Sequence, residues 1–423
     1  MAESVKVIDP NSGTGYDYHS LYDWEAAEQD DIDASNTIAV AKCRCTGGTA
    51  DTTPVTIGGW TTSATDYIKI WTDPSEAYRH AGVWVTGNKY RLEVGVNSGI
   101  VISEVHVHVY GLMISCSGED RFGLGVASVG AASTTWAGFN IIKGDTTYTR
   151  GFHNEYAEAG SYLYFWNNII YNHYRGIHNT NTTAYIYNCT FTGCSNVGIY
   201  NSSTAYCKNV LSHNPASGDD RDFNSSGTMV CTNCASSGVT ADDYGGSGNR
   251  VSQTFTFVSS SNFHLQSTDA GALGYGLNLY NDAAYPFQTD IDGQDRGGAA
   301  AAWDIGADEY VSGVIAGSAC WGHVTGVTQD NVRTFTGHGS GTATIENSGD
   351  TERLRFETGQ YWEFETVNTG AVAITITLNS YSAGAAITAK YRTGTTQVLC
   401  EAASWTTGSS FTSDGFAQIR LEA

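Results

Sequence analysis

Two consecutive stretches of the chain say nearly the same thing. YFWNNIIYNHYRGIHNTNTTA begins at Tyr164 and YIYNCTFTGCSNVGIYNSSTAY begins at Tyr185. Each reads Tyr-x-x-Asn, then an apolar run, then Gly-Ile-x-Asn. Tyr164, Tyr185 and Tyr206 stand 21 residues apart, as do Asn167, Asn188 and Asn209, with apolar Phe165, Ile186 and Cys207 between them. Gly151-Phe152-His153-Asn154 is an earlier copy of the second element, and Asn140 and Asn233 extend the first at steps of 27 and 24. A period of about 20–25 residues made of short strands and turns predicts a β-solenoid. One rung alone cannot bury its inner face, so rungs stack and like residues land on like. Adjacent rungs pair as parallel strands about 4.8 Å apart. An asparagine at a bend can bond both the next asparagine and the turn backbone. Asn167, Asn188 and Asn209 are therefore expected to form a structural ladder at one corner. Leucine-rich repeats share the period, but their leucine spacing is absent.

The composition agrees with an all-β chain. There are 49 Gly, 5 Pro, 25 Tyr and 10 Trp, and only 15% charged residues, a mixture suited to short strands and tight turns. At this period residues 50–310 supply about eleven or twelve rungs, a rod of roughly 50–60 Å. Longer steps imply loops leaving the rod, one near residues 143–160 and one around Asp219-Asp220-Arg221-Asp222. Before the rod, Ser20 is placed to cap a helix through Glu28, with Asp23 at the capping-box position and Leu21, Trp24 and Ala27 as its apolar stripe. Residues 1–50 are read as an N-terminal docking and capping segment, residues 51–312 as the β-helix. After Ser312 the pattern changes. Stretches such as Tyr361-Trp362-Glu363-Phe364 and Ala373-Ile374-Thr375-Ile376 predict six to eight short strands, hence a C-terminal β-sandwich over residues 313–423.

A formal charge of −22 excludes nucleic acid as a partner, since phosphate needs a Lys/Arg surface. Nor does the sequence hold a continuous apolar run long enough to span a membrane. The start MAESVKVIDP lacks a basic n-region and an apolar h-region, so export by a signal peptide is not expected. The ten cysteines lie in strand-like stretches and are expected to be buried free thiols. Cys231-Thr-Asn-Cys234 is half of a zinc pattern without its second half, so neither a metal nor another cofactor is expected.

The asparagine-rich rungs resemble right-handed parallel β-helix proteins, the architecture of pectate lyases and phage tailspikes. Phe263-His264-Leu265-Gln266-Ser267-Thr268-Asp269-Ala270-Gly271, then Asp290-Ile291-Asp292-Gly293-Gln294-Asp295-Arg296, then Trp303-Asp304-Ile305-Gly306-Ala307-Asp308-Glu309-Tyr310 resemble the closing segment of many bacterial and phage β-helix proteins. Trp24-Glu25-Ala26-Ala27 and Gly58-Gly59-Trp60-Thr61-Thr62 are similar to β-helix proteins of marine phages. The resemblance covers about residues 15–312. It implies that the acidic closing cluster is a structural cap, with Arg296 pairing one of its carboxylates. It further implies a phage virion protein, a tail spike or fibre or a head-attached fibre. Such a protein is made in the host cytoplasm, docks on other virion proteins through its N-terminal segment, forms a homotrimer and binds host surface glycan. A polysaccharide lyase or glycoside hydrolase, and a bacterial surface adhesin, are the competing readings on this fold.

A depolymerase needs a pair of acids, or a carboxylate with Lys/Arg, on one face. Glu155 with Glu158, the Asp219/Asp220/Asp222 group and Asp242/Asp243 are candidates, but Asp in such settings builds turns, so no catalytic residue is assigned. His153, His173 and His178 are read as polar rung-edge residues. For glycan binding the candidates are Tyr164, Trp166, Tyr171, Tyr174 and Tyr200, because aromatic rings suit sugar faces.

Overall fold

In the computed structural model, the described residues of the first part of the chain are 2–11, 14–127, 132–145, 148–154, 158, 160–214, 222–282, 288–297 and 301–310. Further on they are 337–338, 344–348, 351–355, 361–375, 388–394, 404–408 and 410–422. Glu155, Asp219, Asp220 and Arg221, named above, lie outside the described residues, as do Met1 and two of the ten cysteines, Cys320 and Cys400. Two compact units divide the chain, residues 1–310 and residues 311–423.

The first unit is a parallel β-solenoid of about seven turns, built from three sheets. The first sheet stacks Ala2–Ile8, Thr37–Cys43, Ile68–Trp71, His106–Tyr110, Thr134–Gly138, Tyr162–Trp166, Thr183–Tyr187, Thr204–Lys208 and Thr228–Thr232. The second stacks Arg91–Glu93, Met113–Ser115, Ile141–Lys143, Ile169–Tyr171, Thr190–Thr192, Leu211–His213 and Ala235–Ser236. The third stacks Val55–Ile57, Ile100–Ile102, Phe122–Val126, Arg150–His153, Arg175–Asn179, Val197–Asn201 and Phe223–Ser225. Like residues land on like, as in the run Ile70, Val109, Ala137, Phe165, Ile186, Cys207, Cys231 down the inside of the first sheet. Ile177, Ile199 and Phe223 make the matching inner column of the third. This stacking fills the core, and the eight cysteines among the described residues are buried and free within it.

The corner between the first and second sheets needs a left-handed backbone. Gly111 (φ 74), Phe139 (59), Asn167 (49), Asn188 (48), Asn209 (53) and Asn233 (50) occupy it on successive turns. Asparagine is one of the few residues with a side chain that tolerates this region, which accounts for the Asn of Tyr-x-x-Asn. Phe139 is the exception. The guanidinium of Arg79 lies 4.5 Å over its ring, and His80 Nε2 hydrogen-bonds its carbonyl at 2.8 Å. Asn140 belongs one position further on, where its Nδ2 donates to Asn168 Oδ1 at 3.1 Å, and so is not a member of the Asn167 column.

The second repeat element serves the third sheet. In Gly-Ile-x-Asn the isoleucine points inward and the asparagines form a buried ladder. Asn154 donates to Asn179 at 2.6 Å, Asn179 to Asn201 at 2.7 Å, and Asn201 to Ser225 Oγ at 2.9 Å. The glycine is required by close approach, since a Cβ on Gly176 would sit 2.4 Å from the carbonyl oxygen of Gly198 on the next turn.

Residues beyond about 237 add no rungs, which corrects the expected eleven or twelve. An antiparallel hairpin, Phe257–Ser259 with Asn262–Leu265, leads into a segment that returns along the flank of the solenoid. Its anchors are the corner asparagines. Asn233 Nδ2 donates to Tyr275 O (2.8 Å), Asn209 Nδ2 to Leu277 O (2.7 Å) and Asn167 Nδ2 to Thr289 O (2.7 Å). Asn209 Nδ2 also reaches Asn188 Oδ1 at 2.9 Å. Gly306 N donates to Asn209 O (2.9 Å) and Ala307 N to Thr190 Oγ1 (2.9 Å). Trp303 and Leu279 cluster with Trp166 and Tyr187, and Ile291 and Ala307 with Met113, Ile141, Ile169 and Tyr171. The acidic closing motif therefore lies along the flank and is not a cap on an end. Within it Arg296 pairs with Glu309 (3.1 Å) and donates to Asn167 and to the carbonyls of Gly306 and Ala307.

At the other end, helix Leu21–Glu28 is capped by Ser20, whose Oγ accepts from Asp23 N at 3.0 Å. Its buried face is Leu21, Trp24 and Glu25, while Ala27 is exposed, a correction to the stripe. Trp24 packs on Trp60 at 5.4 Å, and Glu25 accepts from Gly58 N and Trp60 Nε1. The stripe is thus covered by the chain's own first turn. A second helix, Ile32–Ser35, precedes Thr37–Cys43.

The second unit is antiparallel. One sheet orders Gly337–His338, Tyr361–Thr375, Ser410–Glu422, Thr388–Gly394 and Thr406–Thr407, and a separate hairpin pairs Thr344–Ser348 with Thr351–Arg355. Two of its strands are long, 15 and 13 residues, where the sequence reading had a set of short ones.

Candidate functional site

A solenoid turns every outward position into a column, so its faces are built from residues one turn apart. On the first sheet one column runs Lys69, His108, Trp136, Tyr164, Tyr185, Tyr206. The rings are in register: Trp136–Tyr164 at 4.1 Å and 14°, Tyr164–Tyr185 at 5.1 Å and 6°, Tyr185–Tyr206 at 5.3 Å and 20°. Tyr67 closes the stack on His108 at 3.9 Å. Stacked pairs stabilise by about 0.5–1.5 kcal/mol each. The same geometry consumes the ring faces on one another, so the column offers edges and phenol hydroxyls to a ligand. Its first role is structural.

The third sheet carries different chemistry. Its outward columns are Phe122, Arg150, Arg175 and, beside them, His153, His178, Tyr200. His153 and His178 stack at 4.8 Å and 11°, and His178 meets Tyr200 edge-on at 5.0 Å. Arg175 lies 4.2 Å over Tyr200 and 5.6 Å from the ring of Tyr174, which contacts exposed Tyr148 at 4.6 Å. Arg175 Nη1 donates to His178 Nε2 at 3.1 Å, so His178 accepts there and is neutral. Burial pushes the pKa of His153 and of His178 down to about 3, with the neighbouring arginines adding to the effect. Burial also lowers Arg175, and Arg150 repels it. Arg150 has an exposed partner in Asp120 at 2.9 Å. Arg175 has no carboxylate partner among the described residues. In a chain of charge −22, this half-buried guanidinium is set against aromatic rings and neutral imidazoles with no anionic partner among the described residues.

The five aromatic residues singled out from sequence do not form one site. Tyr164 belongs to the stacked column of the first sheet. Trp166 is buried beneath Leu279 and Trp303, and Tyr171 against Phe263 at 5.0 Å, so both are withdrawn from the glycan-facing set. Tyr174 and Tyr200 flank Arg175. Sequence reasoning passed over Arg150 and Arg175, whose 25-residue step follows the loosened register. Of the histidines, His173 is not an edge residue: it is fully buried, with Nδ1 at 3.1 Å from Thr149 Oγ1.

Asp222 among the acidic candidates is buried and lashes the last turn together, accepting from Ser212 Oγ, Asn214 Nδ2, Ser237 Oγ and Gly238 N. Asp242, Asp243 and Glu158 are exposed. Metal-type donors converge at one place among the described residues, His264, Asp292 and Asp308 on the returning segment. No family model, no curated protein and no solved structure matches the chain, so the third-sheet face and its unanswered cation carry the functional reading.

Proposed function

We propose that the chain is a structural protein of a phage particle, a tail spike or fibre or a head-attached fibre, and that it holds an acidic glycan of the host surface on its third sheet. The observation that supports glycan binding is Arg175, a half-buried cation flanked by Tyr174 and Tyr200 and without an acidic partner among the described residues. A guanidinium takes a sugar carboxylate or sulfate through two parallel N–H donors, and tyrosine rings beside it supply the apolar contact a pyranose face needs. Particle membership rests on the resemblance of the closing and N-terminal motifs. With it go a right-handed coil, a homotrimer docked through the N-terminal segment, and a C-terminal sandwich completed by a second layer on the long-stranded sheet.

Titration of the full chain with a uronic-acid polymer and with neutral dextran tests the binding face. The acidic polymer is expected to bind and the neutral one not, with Arg175→Gln weakening binding roughly tenfold or more and Arg175→Lys failing to restore it. Equal binding of both polymers, or no effect of Arg175→Gln, would sink the assignment. Antibody labelling of intact particles tests membership separately, and failure to label them rejects the virion reading alone.

A further inference from the structure

His264, Asp292 and Asp308 come from three separate parts of the returning segment, the hairpin, the turn after Ile291 and the last stretch before Tyr310. Their ligand atoms lie within 4.8 Å of one another. His264 is 6% exposed and Asp308 4%. His264 Nδ1 is 2.6 Å from Asn262 Oδ1, which also accepts the His264 backbone N–H at 3.1 Å. That oxygen only accepts, so Nδ1 carries the proton and Nε2 of the neutral ring presents a lone pair. Nε2 has no hydrogen-bond partner and faces Asp292 Oδ2 at 3.5 Å and Asp308 Oδ1 at 3.7 Å. Two carboxylates facing Nε2 call for a positive charge there, a second ring proton in the metal-free chain or a metal ion bound by the lone pair that displaces it. The carboxylates are held from behind in the same way. Asp308 Oδ2 accepts Leu265 N at 2.7 Å and Asp292 Oδ2 accepts Gln294 Nε2 at 2.7 Å, while Asp292 Oδ1 is buried without a partner.

Two further observations point to an occupant. Gly82 lies against His264 Nε2, where a Cβ would clash at 2.4 Å, so no side chain of that residue closes this side of the ring. The surroundings also carry an excess of negative charge. Five carboxyl groups, those of Asp290, Asp292, Asp304, Asp308 and Glu309, gather here around two guanidiniums, Arg79 and Arg296.

We propose that His264 Nε2, Asp292 and Asp308 form a structural site for a divalent transition cation of the zinc class. Tetrahedral donors around zinc lie about 3.4 Å apart, a few tenths of an ångström inside the two separations from His264 Nε2. The imidazole donor and the short spacing disfavour calcium, which takes six to eight oxygens at longer range. Asp292 Oδ1 is the natural fourth donor. Asn262 is a positioning residue that fixes the imidazole tautomer. Bound metal would tie the hairpin, the turn and the last stretch together on the flank.

The full chain, stripped with a chelator and dialysed, is titrated with zinc chloride by calorimetry and thermal shift, and with cobalt(II) as an absorption probe. One equivalent is expected to bind and to raise the melting temperature by about 3 °C or more. His264→Gln and Asp308→Asn should each weaken binding roughly a hundredfold, and Asn262→Ala roughly tenfold. A Cys231→Ser/Cys234→Ser double variant should bind as the parent does. Absence of saturable zinc or cobalt binding up to about 1 mM by chain with native circular dichroism overturns the proposal. So does binding that survives both His264→Gln and Asp308→Asn, loss confined to the cysteine double variant, or saturation by calcium in place of zinc.

Discussion

Asn179→Ala is expected to lower the unfolding free energy by about 3–5 kcal/mol, read as a shift of the urea midpoint at constant slope. Asn179 is fully buried and sits in the middle of the third-sheet ladder. Its Nδ2 donates to Asn201 Oδ1 (2.7 Å), Thr182 O (3.0 Å) and Thr204 O (3.2 Å), and its Oδ1 accepts from Asn154 Nδ2 (2.6 Å) and Thr182 Oγ1 (2.7 Å). Truncation leaves partners on three turns short of a bond in a place water does not reach. Each such group costs about 1–3 kcal/mol, and the survivors keep only part of their other bonds. Asn97, on an exposed loop, serves as the comparison, with an alanine expected to change stability by less than about 0.5 kcal/mol. A loss under about 1 kcal/mol at Asn179 would mean that the ladder adds nothing beyond backbone pairing.

Acidification below pH 6.5 is expected to destabilise the solenoid through its buried histidines, and His173→Gln should flatten that response. Burial pushes His80, His108, His153, His173 and His178 each down to about 3. A folded pKa below the unfolded one means that the unfolded chain takes up the proton first. Each histidine's contribution is therefore intact above about 6.5 and is lost as the pH falls toward 3. For a fully buried ring the slope is about 1.4 kcal/mol per pH unit. Buried Glu25, Asp51 and Asp222 act with the opposite sign, because burial raises them and the folded form protonates first. A single-site difference isolates one group from this sum. His173 is the choice because its ring is fully buried, with Thr149 Oγ1 at one nitrogen and only the Ile142 backbone and Asp145 opposing the shift. Stability measured by urea titration at several pH values between about 4 and 6 should fall less steeply in His173→Gln, by about 1.4 kcal/mol per unit. Parallel curves for the two proteins would refute it.

What could be read from sequence follows the loops. Where the connection from the third sheet back to the first is short, Tyr164, Tyr185 and Tyr206 keep one step and the turn is visible at once. Between Trp136 and Tyr164 the step is 28, because more residues separate Arg150–His153 from Tyr162–Trp166 than separate Arg175–Asn179 from Thr183–Tyr187, and Trp136 drops out of the pattern although it stacks on Tyr164. The returning segment was misread as more rungs because its short apolar runs and turns are the same local signals. What sets it apart is a set of contacts such as Asn167 with Thr289, 122 residues away, and no local pattern encodes those. The same gap explains the aromatic residues. Trp166 and Tyr164 look alike in a strand, and only the strap laid over one of them decides which meets solvent. For the third-sheet face, both tyrosines beside Arg175 were picked out, but the arginine that gives them a chemical purpose was not. His264, Asp292 and Asp308 share no spacing motif at all.

The flank-laid segment also decides how this unit meets a mechanical load. Tension entering at Tyr310 runs first into Ala307 and Gly306, then Arg296 and Thr289, then Leu277 and Tyr275. The two arms of this segment also hold each other, Ile305 N donating to Ala272 O and Gly276 N to Trp303 O, but the anchors to the solenoid are single hydrogen bonds met in turn and are expected to come away by peeling. The stacked turns beneath are joined strand to strand, five residue pairs at a time between Tyr162–Trp166 and Thr183–Tyr187, and resist as a group. An optical-trap trace taken between Tyr310 and Ala2 should show a run of weak releases before any turn gives way, and a single abrupt rupture would show that strap and coil yield as one body. Weak releases first would make the strap a shield for the solenoid, lengthening and dissipating a pull on its tail before the ordered turns feel it.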